Sequence, residues 1–146
     1  MSLEENKAIV RRFVKAYNER NLDLFDDLLA PDYYDHSSQV GPEGLKRLMN
    51  IAFQAFPDFH ETIEDIIAEG DRVWARITFT GTHEGEWLGI APTGKKIRIV
   101  MVDIFRMVNG KLVEYWDVGD RLDFFHKLGV IEYTENGKKL FPEDAK

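Results

Sequence analysis

Apolar residues recur at two different periods along this chain, and the change falls near residue 58. Before it, Ile9, Val10, Phe13, Val14 and Tyr17 return every three or four positions, as one face of a helix does. Ser2-Leu3-Glu4-Glu5 fits a capping box at the start of that helix, which ends near Asn18 to Asn21. Asn21 is placed to cap a short second helix whose Leu22, Leu24, Phe25, Leu28 and Leu29 leave Asp23, Asp26 and Asp27 to water, until Pro31 forbids continuation. "DYYDHSSQV" follows as a short strand or loop. A third helix opens at Pro42, carries Leu45, Leu48, Met49, Ala52, Phe53 and Phe56 on one face, and closes before Pro57.

From Asp58 the pattern alternates, as in half-buried strands. Val73, Ala75, Ile77 and Phe79 interleave with Arg72, Trp74, Arg76, Thr78 and Thr80, after a turn at Glu69-Gly70-Asp71. "EWLGIAPTGKK" is a loop punctuated by Gly and Pro, and residues 97–108 and 111–119 form a last hairpin about Asn109-Gly110. Asp120 caps a closing helical turn, "RLDFFHKLG", which Gly129 stops. Residues 1–131 are therefore expected to make one domain, and 132–146 a polar, loosely held tail. Helices gathered ahead of an antiparallel sheet indicate an α+β fold with the helices packed on one face.

Composition narrows the partners. At 146 residues and 44% hydrophobic, the chain is long enough for one sizeable core. A net charge of −7 disfavours nucleic acid, whose affinity comes largely from Lys and Arg neutralising phosphates. The absence of cysteine excludes disulfides, thiolate nucleophiles and Cys-ligated metals. The start lacks the basic and apolar regions of a signal peptide, and no apolar run is long enough to span a bilayer. A soluble, cytoplasmic protein with no membrane partner is expected.

The last hairpin holds a conflict. Each of its apolar stretches carries an aspartate near the middle, Asp103 and Asp117, although strand interiors are depleted in Asp. A two-residue type I′ turn would put the two on opposite faces. A three-residue turn, Val108-Asn109-Gly110 with Gly110 left-handed, shifts the pairing by one. Both acids then share a face with Ile97, Ile99, Met101, Phe105, Val113 and Tyr115, while Arg106 and Glu114 meet on the other. The second arrangement is preferred, because it gathers the acids in one apolar wall and pairs opposite charges outside.

Five stretches together carry a family resemblance: "ENKAIVRRFV", "LLAPDYYDHS", "GPEGLKRLMNIAFQAFPDF", "AEGDRVWARITFTGTHEGEWLGIAPTGKKI" and "VDIFRMVNGKLVEYWDVGD". In this order they resemble the SnoaL-like polyketide cyclases, a branch of the nuclear-transport-factor-two-like superfamily, over about residues 5–128. The resemblance implies a cone-shaped α+β barrel with a strongly curved antiparallel sheet, one deep apolar pocket, and dimerisation through the outer sheet face. It also implies aldol ring closure without metal or cofactor, and a small hydrophobic molecule as ligand. The superfamily includes isomerases, dehydratases and members with no known catalysis, so a non-catalytic ligand-binding or dimerisation module is the rival class.

Asp117, in "EYWD", matches the acid/base aspartate of those cyclases. A base in hydrogen-bond reach of a proton alpha to a carbonyl forms an enolate, and desolvation strengthens an aspartate for that task. A second carboxylate nearby makes double ionisation costly, so Asp103 is expected to keep its proton and polarise the carbonyl. The resemblance breaks here: as aligned, the cyclases have a histidine at position 103 and a glutamine at 101, where this chain has Asp103 and Met101. The plain alternative is that either aspartate only bonds to backbone amides or an arginine at the rim.

Among the histidines, His36 in "YYDH" matches a family motif at the pocket mouth and would shuttle protons; alternatively it is a loop residue tied to Asp35. His83 in "TGTHEGEW" is expected to line the pocket, with Trp87 as a lid, or else to sit in a surface turn. His60 and His126 are expected to be structural. Arg76 would either reach inward to an acidic group or lie on the outer face. Phe13, Tyr17 and Phe53 lie on helical stripes that serve as core and as inner wall, joined there by Met101 and Tyr115. No paired-ligand spacing marks a metal site, and no glycine-rich loop marks a nucleotide. Val100, Val102, Ile104 and Trp116 should face outward and invite a second copy.

Overall fold

The computed structural model describes residues 2–142, so Met1 and the last four residues of the expected tail lie outside it. Helix α1 (Leu3–Asn18) starts with the anticipated capping box: the Glu5 N–H donates to Ser2 Oγ at 3.0 Å, and the Ser2 N–H to Glu5 Oε2 at 2.7 Å. Its apolar stripe is buried against β2 (His60–Glu69) and β3 (Arg72–Thr82). A 3₁₀ turn (Leu22–Leu24) and α2 (Phe25–Leu28) follow, and lead directly into β1 (Leu29–Asp35). Helix α3 (Pro42–Ala55) has Pro42 in its first turn, where the missing N–H costs nothing.

Strands β4 (Lys96–Val108) and β5 (Lys111–Gly119) complete a five-stranded sheet in the order β1-β5-β4-β3-β2. The fold is the expected α+β type, with one correction: the sheet is mixed and open, because β1 pairs parallel to β5 as an edge strand. "DYYD" is thus a strand and not a loop. One bulge interrupts the β2–β3 ladder and a second the β4–β5 ladder. Glu64 is the extra residue on β2, between the pairs Ile63–Ile77 and Asp65–Arg76, and Val113 is the extra residue on β5, between Met107–Leu112 and Arg106–Glu114.

The second bulge resolves the conflict in the hairpin differently from expectation. Val108 pairs directly with Lys111, so the turn is the two-residue one, and Asn109 (φ 49°) and Gly110 (φ 76°) both adopt the left-handed conformation a type I′ turn requires. The one-residue shift comes from Val113. Beyond it, Asp103 stands opposite Asp117 on the inner face, and Arg106 pairs with Glu114 on the outer. The expected faces hold, but a bulge supplies them.

The core is aromatic. Phe13 lies 4.6 Å from Tyr17, 5.2 Å from Phe25 and 5.6 Å from Phe105, ring centre to ring centre. These contacts tie α1, α2 and β4 into one unit. Helix α4 (Arg121–Leu128) is capped by Asp120, whose side chain accepts the Asp123 N–H, and ends at Gly129 with φ 84°. The tail is less loose than expected: Tyr133 stacks on His126 at 3.9 Å and lies 5.2 Å from Phe141, with a short α5 (Glu135–Leu140) between. No helix among the described residues is long and apolar enough to cross a membrane.

Candidate active site

Asp103 projects from the middle of β4 into the interior and is 2% exposed. Its Oδ1 has no hydrogen-bond partner among the described residues. Burial is the main force on its titration; the nearby Tyr115 hydroxyl opposes it, and the charges of Asp117 and Asp35 add to it, so its carboxyl is pushed up to about 8. Asp103 is therefore a neutral acid at pH 7, and its O–H is a donor.

Asp117, its ladder partner, bridges the interior and the rim. One carboxylate oxygen accepts the Tyr115 hydroxyl at 3.3 Å; the other pairs with the guanidinium of Arg121, the first residue of α4. The side chain is 10% exposed, and its backbone N–H donates to Ser37 Oγ at 2.9 Å. Two chemically identical side chains thus have different surroundings. One is sealed without a cation, and the other has one.

More acids and phenols line the same interior than the sequence analysis singled out. Tyr33 and Asp35 of β1 are both buried, because alternation turns them inward together. Asp35 Oδ1 accepts the Ser37 and Ser38 N–H groups at 2.8 and 2.9 Å, which folds the chain tightly after β1. Burial raises its carboxyl, and those two N–H groups pull against the rise. Glu61 of β2 is 7% exposed, with Oε2 unpartnered; burial first, then Asp103 and Asp117, drive its carboxyl well above the usual range. Burial likewise raises the phenols of Tyr17, Tyr33 and Tyr115, reinforced by neighbouring acids. The period-two alternation of "PDYYDH" and "FHETI" held the signal for these residues. It was outweighed there by the more obvious hairpin.

Two expected site residues face away. His36 lies on the outer side of β1: its Nε2 is 3.0 Å from Glu114 Oε1 and its ring stacks on Trp116 at 4.6 Å. The inward neighbour is Asp35, so His36 is tied neither to Asp35 nor to the two aspartates. Arg76 is also outside, paired with Asp65 at 2.9 Å, since it alternates with the buried Ala75 and Ile77. The remaining side chains point in. Phe13 and Tyr17 are buried, and Met101 is half-buried beside Gly119, two ladder rows from Asp103 on the same face. Phe53 packs edge-on against Phe59 at 5.2 Å beneath the Arg20 guanidinium.

His83 is fully buried. Its Nδ1 accepts the Thr93 N–H at 3.2 Å and lies 3.0 Å from the Thr93 hydroxyl, so the ring proton sits on Nε2, which has no partner. Trp87, on the same loop, packs against Phe56, Phe124 and Phe125 at 5.7–6.3 Å, roofing the aromatic cluster. The loop is fastened to the end of α3 by Glu84 and Gly85 N–H groups on Ala55 O. Among the described residues, no group of three or more His, Asp or Glu stands close enough to share a metal ion.

Comparison with known proteins follows the same lines. A family model described as SnoaL-like polyketide cyclase matches residues 7–128. The aklanonic acid methyl ester cyclase AcmA of Streptomyces galilaeus is 32% identical over 135 residues, spanning 87% of this chain and 92% of its own. Among solved structures, AclR, a candidate hydroxylase from Streptomyces galilaeus, superposes with a TM-score of 0.82 at 33% identity, over 99% of this chain and 94% of its own. TsrD from Streptomyces laurentii gives the same TM-score at 28% identity, over 90% and 99%.

Proposed function

The chain belongs to the SnoaL-like polyketide cyclase family, and on that premise we propose that it is a cytoplasmic, cofactor-independent acid/base catalyst that closes a ring in a small hydrophobic carbonyl compound. One observation carries the proposal: a buried Asp103 whose Oδ1 meets no partner among the described residues stands directly opposite an Asp117 held by a guanidinium.

The Asp117 carboxylate removes a proton alpha to a carbonyl. The C–H electron pair becomes a C–C double bond, and the carbonyl π pair moves onto oxygen. That oxygen meets the Asp103 O–H, a donor already in place where negative charge develops. The enolate carbon then attacks a second carbonyl carbon within the same molecule, and the proton on Asp117 passes to the new alkoxide, restoring the carboxylate. Nothing is gained or lost overall. Isomerases and dehydratases of this superfamily would share the first half of the sequence. Asp103 takes the place of the family's histidine, offering an O–H donor instead of an imidazole.

A homodimer through the outer sheet face completes the proposal. Ile67, Trp74, Ile104 and Trp116 are successive partners across four strands and form one apolar row. Ile67 is 67% and Trp74 47% exposed in the single chain.

The test is turnover of aklanonic acid methyl ester, the compound in AcmA's name, by Asp117→Asn. A loss of about 100-fold in kcat with little change in KM is expected, and the product should have the substrate's mass. Unchanged turnover in the variant would overturn the mechanism. A product heavier by one oxygen would point to a hydroxylase instead.

A further inference from the structure

The interior holds a second buried acid that the steps above leave without a task. Glu61 enters from β2 on the inner face, opposite Phe79. Its backbone is clamped from both sides by one residue at the end of α1: Asn18 Nδ2 donates to Glu61 O, and the Glu61 N–H donates to Asn18 Oδ1, each at 2.8 Å. A long, flexible side chain is thus started from a fixed point. Its Oε2 is buried and meets no donor or acceptor among the described residues, and the acids that act on it are Asp103 and Asp117. Burial, reinforced by the Asp117 carboxylate, keeps the carboxyl neutral, and its Oε2 finds no partner among the described residues. Buried polar groups in native proteins are rarely left so.

We propose that Glu61 is a ligand-binding residue of this interior, donating a hydrogen bond from its carboxyl O–H to a carbonyl oxygen of the bound compound. The geometry separates this oxygen from the one that Asp103 meets. Asp103 lies in the ladder row of Ala75 and Glu61 in that of Phe79, four positions further along β3, or roughly 13 Å of strand. Two proton-bearing acids started from opposite ends of one interior suit a compound with two carbonyl oxygens. Asp103 holds the one that becomes the enolate, and Glu61 polarises the one that is attacked. The assignment to the attacked carbonyl rests on the ring-closing function proposed above; the hydrogen bond itself does not.

The test uses 2-acetylnaphthalene, an apolar ketone with one carbonyl, as probe. Glu61→Met keeps the length and removes the donor; Glu61→Gln keeps shape and donor. The ketone should bind about tenfold more weakly to Glu61→Met and within about threefold of wild type to Glu61→Gln. The downshift of its carbonyl stretching band on binding, measured by infrared difference spectroscopy, should survive only in Glu61→Gln. Glu61→Met is expected to melt no lower than wild type, since it removes an uncompensated buried acid; a purely structural Glu61 predicts a lower melting temperature with unaltered ketone binding. Should Glu61→Met bind the ketone and shift its band as wild type does, the inference is overturned. Turnover of Asp117→Asn separates the two proposals: normal turnover with loss of the ketone contact in Glu61→Met removes the acid/base mechanism and keeps Glu61, whereas a dead Asp117→Asn beside an unaffected Glu61→Met removes only Glu61.

Discussion

Asp103 and Asp117 face each other across the β4–β5 ladder, yet only Asp117 has a cation, the Arg121 guanidinium. Because Asp103 binds a proton more tightly folded than unfolded, its contribution to stability is complete below its ordinary value of 3.8 and is lost as pH rises to about 8. Stability should therefore fall across that window, by about 1.4 kcal/mol per pH unit at its steepest. Asp103→Asn should make this slope shallower, Glu61 and Asp35 keeping their own shares, and melt higher than wild type at pH 8. Thermal melts at a series of pH values check both statements.

Activity should follow the same proton with the opposite consequence for the variant. As pH rises through about 8, Asp103 loses its donor and gains a charge that repels the enolate, so wild-type kcat should decline there. Asp103→Leu, with no donor, should lose about 100-fold in kcat at neutral pH. Asp103→Asn should retain more of its rate and show no decline near pH 8. A pH–rate profile of the three proteins is the measurement.

Gly85 lets the His83–Lys95 loop lie against α3. A Cβ there would come within 2.2 Å of Gln54 O, a backbone atom that cannot turn aside. Gly85→Ala should cost about 1–3 kcal/mol and loosen the loop that carries His83 and Trp87. Denaturant unfolding gives the first quantity, and Trp87 fluorescence follows the second.

For the dimer, light scattering should give a mass of two chains for wild type and one for Trp74→Glu, since a charge in the centre of the outer row opposes its burial. A wild-type mass of one chain would contradict the proposal.

Much of the fold was legible because single residues with one dominant preference mark it: the Ser2–Glu5 box, Pro42, Pro57 and Gly129 each fix an element's end. The hairpin shows the limit. Its type I′ turn and its face assignment look incompatible in the sequence, and only the bulge at Val113 reconciles them; nothing distinguishes Val113 from any other strand valine. The site was half legible for a related reason. Asp103 and Asp117 stand out as acids among apolar neighbours, whereas Glu61 and Asp35 lie in polar stretches and become interior acids only when the sheet curls and β1 joins it parallel to β5. For His36 the motif points to the pocket mouth, whereas alternation sends it outward whenever Asp35 is in.

Carbon-13 NMR of aspartate carboxyls, assigned by comparison with Asp103→Asn and Asp117→Asn, tests the central claim most directly. The resonance of Asp103 should titrate near pH 8, leaving it protonated at neutrality. A midpoint near 4 would mean that the interior holds a charged carboxylate at pH 7, and the donor on which the proposed chemistry depends would not exist.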